Sequence, residues 1–461
     1  MLLRTGKRLK RAPGGGHDDD DGLPLGDEML LHIFAGFLDT DDLVRCAATC
    51  RRWRRLVSSE ASFICRSDQD RFVAVGFFHQ EEEYGVHAVP RFVPLASHFP
   101  RASAPDALFA DEPFSSSRLV TSRKGRLVLD LCRASRLRLA VCDPMAGDVT
   151  VLPALAGREK PGRYACALLT ADDDDDLAHS THLSSSASSF RLVIVYARRD
   201  FTACRTYSSD TGSWGPEGKV SGARVSGRSL AQKHAAAVVR GAVFWRVNDA
   251  VLGLRPDTLE ATLEPLPLPE DWAARRDRRG QGLLAVWPDG RLCVVEAGAM
   301  RGDDCWVSRW NHGVTVQILF REHGGSDDDD AAVPGDQWVA SLRASLQLRA
   351  PKGCYGDLTR VCLRGLCEKS GVVFLAAGFE DSRREALYAL DTEKMEARLL
   401  RGIPDDVGSA CRLTSSSCAS FFHGYEMDRV SYMMTAVGKI QHGKGKMNVD
   451  AEDIYDDLYI I

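Results

Sequence analysis

After about residue 70 the chain is written in short β-rich runs: "RFVAVGFF", "GRLVLDL", "LRLAVCD", "RLVIVYA", "GAVFWRV", "LLAVWPDGRLCVV", "GVVFLAAG" and "LYALD". Aspartate-centred turns separate many of them, which is the punctuation of an antiparallel β architecture. This texture constrains the fold more than any other feature. A loose unit recurs within it: a glycine opens an apolar strand, and a second strand ends in an Asp turn before a third leaves it. Gly125 leads to Asp143 in "CDPMAGDVTVLP", Gly241 to Asp257 in "LRPDTLEATLEPLP", and Gly371 to Asp391 in "ALDTEKMEARLL". The turn "YSSDTGSW" around Asp210 resembles the same unit without its opening glycine.

A unit of three or four strands cannot bury both of its faces alone. Stacking several around an axis solves that problem and shortens the exposed sheet edges. Residues 70 to about 430 therefore read as a degenerate β-propeller, and roughly six blades fit the span at the usual ~40–50 residues per blade. A pair of two-sheet sandwiches is the structural alternative. The runs "DDDDD" at 172–176, "SSSASS" at 184–189 and "GGSDDDD" at 324–330 read as solvated loops between strands.

Ahead of the β region the pattern is helical from Leu23 to about Arg66. Leu30, Phe34, Phe37 and Leu38 fall on one face of a first helix. "LDTDD" breaks it, and Asp39 or Thr40 can cap a second helix with Asp41 and Asp42 in its first turn. Leu43, Ala47 or Cys46, Cys50, Trp53, and Leu56 or Val57 form the apolar stripe of that second helix. Arg51, Arg52, Arg54 and Arg55 crowd its last turns, where cations suit the helix dipole and solvate the outer face. A helical unit of about 45 residues is marginal by itself. Its stripe either packs on the β region as a cap or forms half of an interface with another chain.

Here the residues carry a resemblance. "LGDEMLLHIFAGFLDTDDLVRCAATCRRWRRLVSSEASF" is similar to the F-box, a helical module that docks onto the Skp-type adaptor of a cullin–RING ubiquitin ligase. The F-box motif maps onto Leu25, Ile33, Phe34, Asp42, Leu43, Cys50, Trp53 and Leu56, and "DLVRCAATCRRWRRL" carries most of the likeness. The motif's Leu-Pro start is the departure: Leu25-Gly26 stands in that place, while Leu23-Pro24 lies two residues upstream. More loosely, "RLVTSRKGRLVLDL", the Asp143 turn and "FFHGYEMD" resemble the propeller-like C-terminal region of a plant F-box subgroup.

The resemblance implies a mainly β protein with a small all-α N-terminal module. Its expected divisions are a disordered tail at 1–22, the F-box at 23–66, a substrate-recruiting β domain at 70–430 and a C-terminal tail at 431–461. It implies a non-catalytic subunit that contacts the adaptor through Leu25, Ile33, Phe34, Leu43, Cys50, Trp53 and Leu56, and through the adaptor a cullin. The target protein presented by the β domain is unknown. A protein-interaction scaffold outside any ligase, using the same helices, is the alternative.

Other classes find less support. There is no G-x-S-x-G, H-E-x-x-H or phosphate-loop motif, so no enzyme chemistry is expected. "GGGHDDDD", "HSTH" at 179–182, Asp303-Asp304 and Asp405-Asp406 read as loop and turn residues, and no metal or cofactor is expected. A formal net charge of −5 gives no reason to expect a nucleic-acid surface, and no apolar run reaches membrane-spanning length. Fourteen scattered cysteines without a C-x-x-C pair, behind an N-terminus lacking an apolar signal region, read as reduced thiols in the cytosol or nucleus. The basic cluster Lys7 to Arg11 reads as a solvated tail, with a nuclear address as the alternative.

Overall fold

The computed structural model of the chain describes residues 25–66, 71–80, 82–83, 86–95, 108–110, 112–131, 136–173, 189–230, 235–266, 282–299, 311–322, 337–351, 356–380, 385–400 and 422–437. They fall into two compact units: the described residues up to 71 together with 429–437, and those between 72 and 428.

The larger unit is a six-bladed β-propeller built from antiparallel sheets. Blade 2 runs from the axis outward as Arg118–Arg123, Arg126–Asp130, Leu139–Asp143 and Asp148–Val151. Blade 3 begins with Tyr164–Thr170, blade 4 with Ala237–Val239, blade 5 with Leu283–Val286 and blade 6 with Leu358–Leu366. Blade 1 is composite: its inner strand Phe422–Asp428 comes from the far end of the chain, and Phe72–His79 and Arg91–Pro94 complete it. The six inner strands neighbour one another in a closed ring, which fixes the blade count that the irregular repeat left open. Pairing Phe72 with Asp428 closes the circle and brings the chain's entry to and exit from the propeller together.

The runs are apolar on both faces because each blade is packed on both sides. Val128 and Val141 of blade 2 share a buried cluster with Leu168, Leu192 and Ile194 of blade 3. Val193 and Val195, on the other face of blade 3, pack with Val243, Trp245 and Leu252 of blade 4. Further clusters join blades 4 and 5, 5 and 6, and 6 and 1. Apolar burial is worth roughly 25 cal/mol per Å², so these inter-blade layers, and not the individual hairpins, hold the ring together.

Hairpin chemistry explains the repeated glycines and aspartates. Lys124-Gly125 and Arg240-Gly241 each close a two-residue turn with both φ angles positive, the backbone twist such hairpins require. Asp143 opens a four-residue loop in which its carboxylate accepts the Met145 and Ala146 N–H groups, both at 3.0 Å. Asp391 does the same for Glu393 and Lys394. In blade 4 the aligned position is Arg255, paired with Glu260. Asp257 therefore stands two residues further into its loop than the sequence repeat implied, and it pairs with Arg191 of blade 3 instead.

Polar ties also link neighbouring blades. Trp214 Nε1 donates to the Pro153 carbonyl at 2.8 Å, Trp245 Nε1 to that of Cys166, and the Tyr388 hydroxyl to that of Arg349. The densest tie is ionic. Arg123 forks onto Asp173 of blade 3, at 2.6 and 2.9 Å, and onto Glu368 of blade 6, at 2.7 and 2.8 Å. Lys124 joins through Asp173 and the Thr170 hydroxyl, both at 2.9 Å. All four charged side chains are 10% exposed or less. This corrects one expectation: "DDDDD" is not wholly a solvated loop, because Asp173 is locked inside the propeller. The runs "GGSDDDD" at 324–330 and, except for its last residue, "SSSASS" at 184–189 lie outside the described residues.

Candidate functional site

The smaller unit is built from helices α1 (Asp27–Phe37), α2 (Thr40–Thr49), α3 (Arg51–Ser59) and α4 (Ala61–Ile64). Asp39 caps α2 by accepting the Asp42 N–H at 2.9 Å, one of the two caps expected. The single second helix expected from the sequence is in fact two. Cys50 takes an extended conformation, ends α2, and starts α3 by accepting the Trp53 N–H on its sulfur at 3.4 Å. The break turns α3 back on α2, so one sequence stripe becomes the two facing walls of a core.

The expected site residues separate accordingly. Phe34, Leu43 and Leu56 are buried inside the module, together with Leu30, Ala47, Val57, Ala61 and Ile64. Trp53 is half-buried, edge-on to Phe34 with ring centroids 5.6 Å apart. Cys50 and Ile33 are half-buried and Leu25 is exposed. Leu43 and Leu56 of the apolar stripe are thus covered within the module, while Cys50 and Trp53 keep part of their surface open. Leu38 lies beyond the end of α1, at its C-cap.

The arginines are likewise more than a solvated face. Arg52 Nε donates to Asp27 at 2.9 Å and another of its nitrogens to the Leu25 carbonyl, tying the start of α1 to α3. Arg54 Nε donates to the Ala47 carbonyl at 3.0 Å, satisfying a peptide oxygen in the last turn of α2. Arg45 forms an exposed pair with Asp42.

The sequence reading missed two features. Met29 is 54% exposed and with the half-buried Ile33 makes a stripe at i and i+4 along α1; Leu25, in the segment leading into the helix, is exposed as well. That stripe is set off from the buried Leu30 and Phe34 by one residue, about 100° around the helix. The other feature is the far end of the chain. Residues expected to begin a tail at 431 form a short helix, Arg429–Tyr432, and a π-helical turn, Met433–Val437. The short helix packs against α4, and the π-helical turn packs against α3 and α2. Val430, Tyr432, Met433 and Val437 are buried there. Their spacing in "RVSYMMTAV" was the available signal. Residues 438–461 and 1–24, with the basic cluster and Leu23-Pro24, lie outside the described residues.

The site's chemistry is that of a surface for apolar contact. Burial, and then the Asp42 carboxylate, push the Cys46 thiol above its ordinary pKa, which opposes thiolate formation. Among the described residues the cysteines are free, and no group of three or more His, Cys, Asp or Glu is placed to hold a metal ion. No described helix is long and apolar enough to cross a membrane. "HSTH", "GGGHDDDD", Asp303-Asp304 and Asp405-Asp406 lie outside the described residues.

Comparison with known proteins assigns the module. Residues 24–67 match the family described as F-box-like, and this stretch of the chain is an F-box-like domain. No curated protein matches the chain. Solved structures with a likeness to it include one from a study of two prolyl endopeptidases, at 11% identity and a TM-score of 0.32 over 83% of this chain. The chain spans about half, 55%, of that protein. Others are the WD40 domain of SCAP from fission yeast, at 8% identity, a TM-score of 0.25 and coverages of 72% and 73%, and the Myceliophteria thermophila Cps50 (Swd1) β-propeller domain. The latter has 13% identity and a TM-score of 0.27, with 62% of this chain and 86% of that one covered. Scores of this size carry no argument about function.

Proposed function

We propose that the protein is the substrate-recruiting subunit of a Skp–cullin–F-box ubiquitin ligase, without catalytic chemistry of its own. The observation that carries the reading is the F-box-like match over a folded helical module that exposes Met29 on its first helix and Leu25 just ahead of it. In this reading Leu25, Met29 and Ile33, with the half-buried Trp53, meet the Skp-type adaptor, which joins them to a cullin. Phe34, Leu43 and Leu56 support that surface from beneath, and Cys50 sets the angle between α2 and α3. Large apolar and aromatic side chains dominate the energetics of such interfaces.

The propeller then presents a target protein. Loops from six blades converge at each end of a rigid ring, which suits recognition of an extended surface. The Asp143 turn and the strand within "FFHGYEMD" support placement in the plant-type subgroup, and the cysteine pattern supports a cytosolic or nuclear setting.

The test is retention of the full-length chain on an immobilised Skp-type adaptor. Wild-type protein is expected to bind. Met29→Asp, which places a charge at that exposed position, is expected to weaken binding by about 2 kcal/mol or more, roughly 30-fold, with an unchanged circular dichroism spectrum. A folded wild-type chain that shows no retention refutes the ligase reading.

A further inference from the structure

We propose that Arg429–Val437 is a working part of the F-box-like module, so that docking onto an adaptor requires the C-terminal end of the chain as well as residues 24–67. The docking half of this inference rests on the function proposed above; the composite fold does not.

The argument begins with what the four N-terminal helices lack. They supply about 40 residues, too few to bury a sufficient core unaided. The missing apolar surface comes from a segment some 370 positions later in the chain. Met433 and Val437 have essentially no exposure, and Val430 and Tyr432 are nearly as closed. Only Met434 in this stretch carries a large exposed apolar side chain, at 53%. The packing partners are α2, α3 and α4, the elements that contain Leu43, Ala47, Leu56, Val57 and Ile64. Without the C-terminal turn, the surfaces of α2 and α3 that it covers would face water.

The join to the propeller makes the requirement one of chain integrity. Phe422–Asp428 is the inner strand of the closing blade, and Arg429 follows Asp428 with no intervening residue. A chain that stops short of this point loses the propeller's closing strand and the module's fifth packing element together. Such a product would keep its whole F-box-like sequence and still be excluded from the ligase, which prevents it from occupying adaptor in place of intact subunits.

The test uses full-length protein with two readouts: amide hydrogen exchange across Asp27–Ser59, and retention on a Skp-type adaptor. Met433→Asp is expected to lower exchange protection of these helices at least tenfold and to abolish retention. Met434→Asp, at the exposed neighbour, is expected to leave protection within twofold. Strand Ala242–Val247 of blade 4 serves as the internal reference for global unfolding. If Met433→Asp unfolds the entire chain, Met433→Ala, which adds no charge, repeats the comparison.

Protection of Asp27–Ser59 that stays within twofold of wild type in the Met433 variants overturns the composite module. Lost protection with retained docking overturns the docking half. Failure of the wild-type chain to bind removes the ligase reading and the docking half with it, and leaves the exchange result to decide the composite fold.

Discussion

Replacing Asp173 with alanine tests the ionic tie between blades 2, 3 and 6. The carboxylate accepts two hydrogen bonds from Arg123, one from Lys124, and bonds from the backbone and hydroxyl of Thr170. The cluster holds two cations, Arg123 and Lys124, against two anions, Asp173 and Glu368, so its charges balance out of water. Removing Asp173 leaves one buried cation uncompensated. Breaking a buried pair in this way costs about 3–5 kcal/mol, far above the value of a surface pair. Unfolding entropy for roughly 360 residues is about 0.75 kcal/mol per kelvin, so the expected fall in Tm is about 4–7 °C. Scanning calorimetry and urea unfolding of the wild type and Asp173→Ala measure it.

Two further features distinguish the ionic explanation from simple loss of packing. Arg123→Ala combined with Asp173→Ala leaves Lys124 facing Glu368, one charge of each sign. The double variant should therefore cost about 1–3 kcal/mol less than the sum of the singles. The second feature is pH. Burial alone would raise the Asp173 pKa; Arg123, with Lys124 and the Thr170 N–H, reverses this and holds it well below the usual carboxylate range. The unfolded chain takes up the proton first, near pH 4, so the stabilisation is complete above that pH and shrinks as pH falls below it. The gap between wild type and Asp173→Ala should narrow in the same direction. A loss under 1 kcal/mol at pH 7, or additive single and double effects, refutes the reasoning.

Three other outcomes follow from the geometry. His79 is lowered to about 4 by burial and then by Arg364 and Arg91. Its neutral form therefore stabilises the fold fully above about pH 6.5, and stability falls by up to about 1.4 kcal/mol per pH unit toward pH 4. His79→Gln should flatten that part of the stability–pH curve measured by urea unfolding. Gly26 stands at the N-cap of α1 with φ −68 and open space where a Cβ would point, a backbone angle that proline shares. Gly26→Pro should stabilise the helical module by about 0.4–1 kcal/mol, read as slower amide exchange in α1. Arg52→Ala should detach the start of α1 from α3 by removing the bonds to Asp27 and Leu25, and raise exchange in Asp27–Phe37 while the propeller strands stay protected.

Much of the architecture was legible in the sequence because it follows from local rules. A strand covered on both faces must be apolar throughout, a two-residue hairpin favours glycine, and Asp143 and Asp391 cap their own loops; each leaves a mark within a few residues. Asp39 announced the start of α2 in the same way. Wherever the deciding contact was distant in the chain, those local marks pointed elsewhere. Asp173 looked like one of five solvated acids because its partner Arg123 lies 50 positions away, and Glu368, which shares that guanidinium, lies 195 away. Arg52 and Arg54 looked like surface charge because the groups they satisfy sit on other helices. Leu43 and Leu56 looked like an open ridge because nothing in one stretch of sequence tells an interface stripe from a core stripe.

The sequence by itself therefore determined the element types and the propeller class, which are written in periodicity and turn chemistry, and the F-box-like segment through its resemblance to a known motif. The tertiary structure decided which apolar faces are already covered, which charges are buried, and that both ends of the chain build one module and one closing blade. Local sequence encodes what a segment prefers; burial depends on what arrives from elsewhere in the chain, and only the folded molecule brings Met433 to α3 or Glu368 to Arg123.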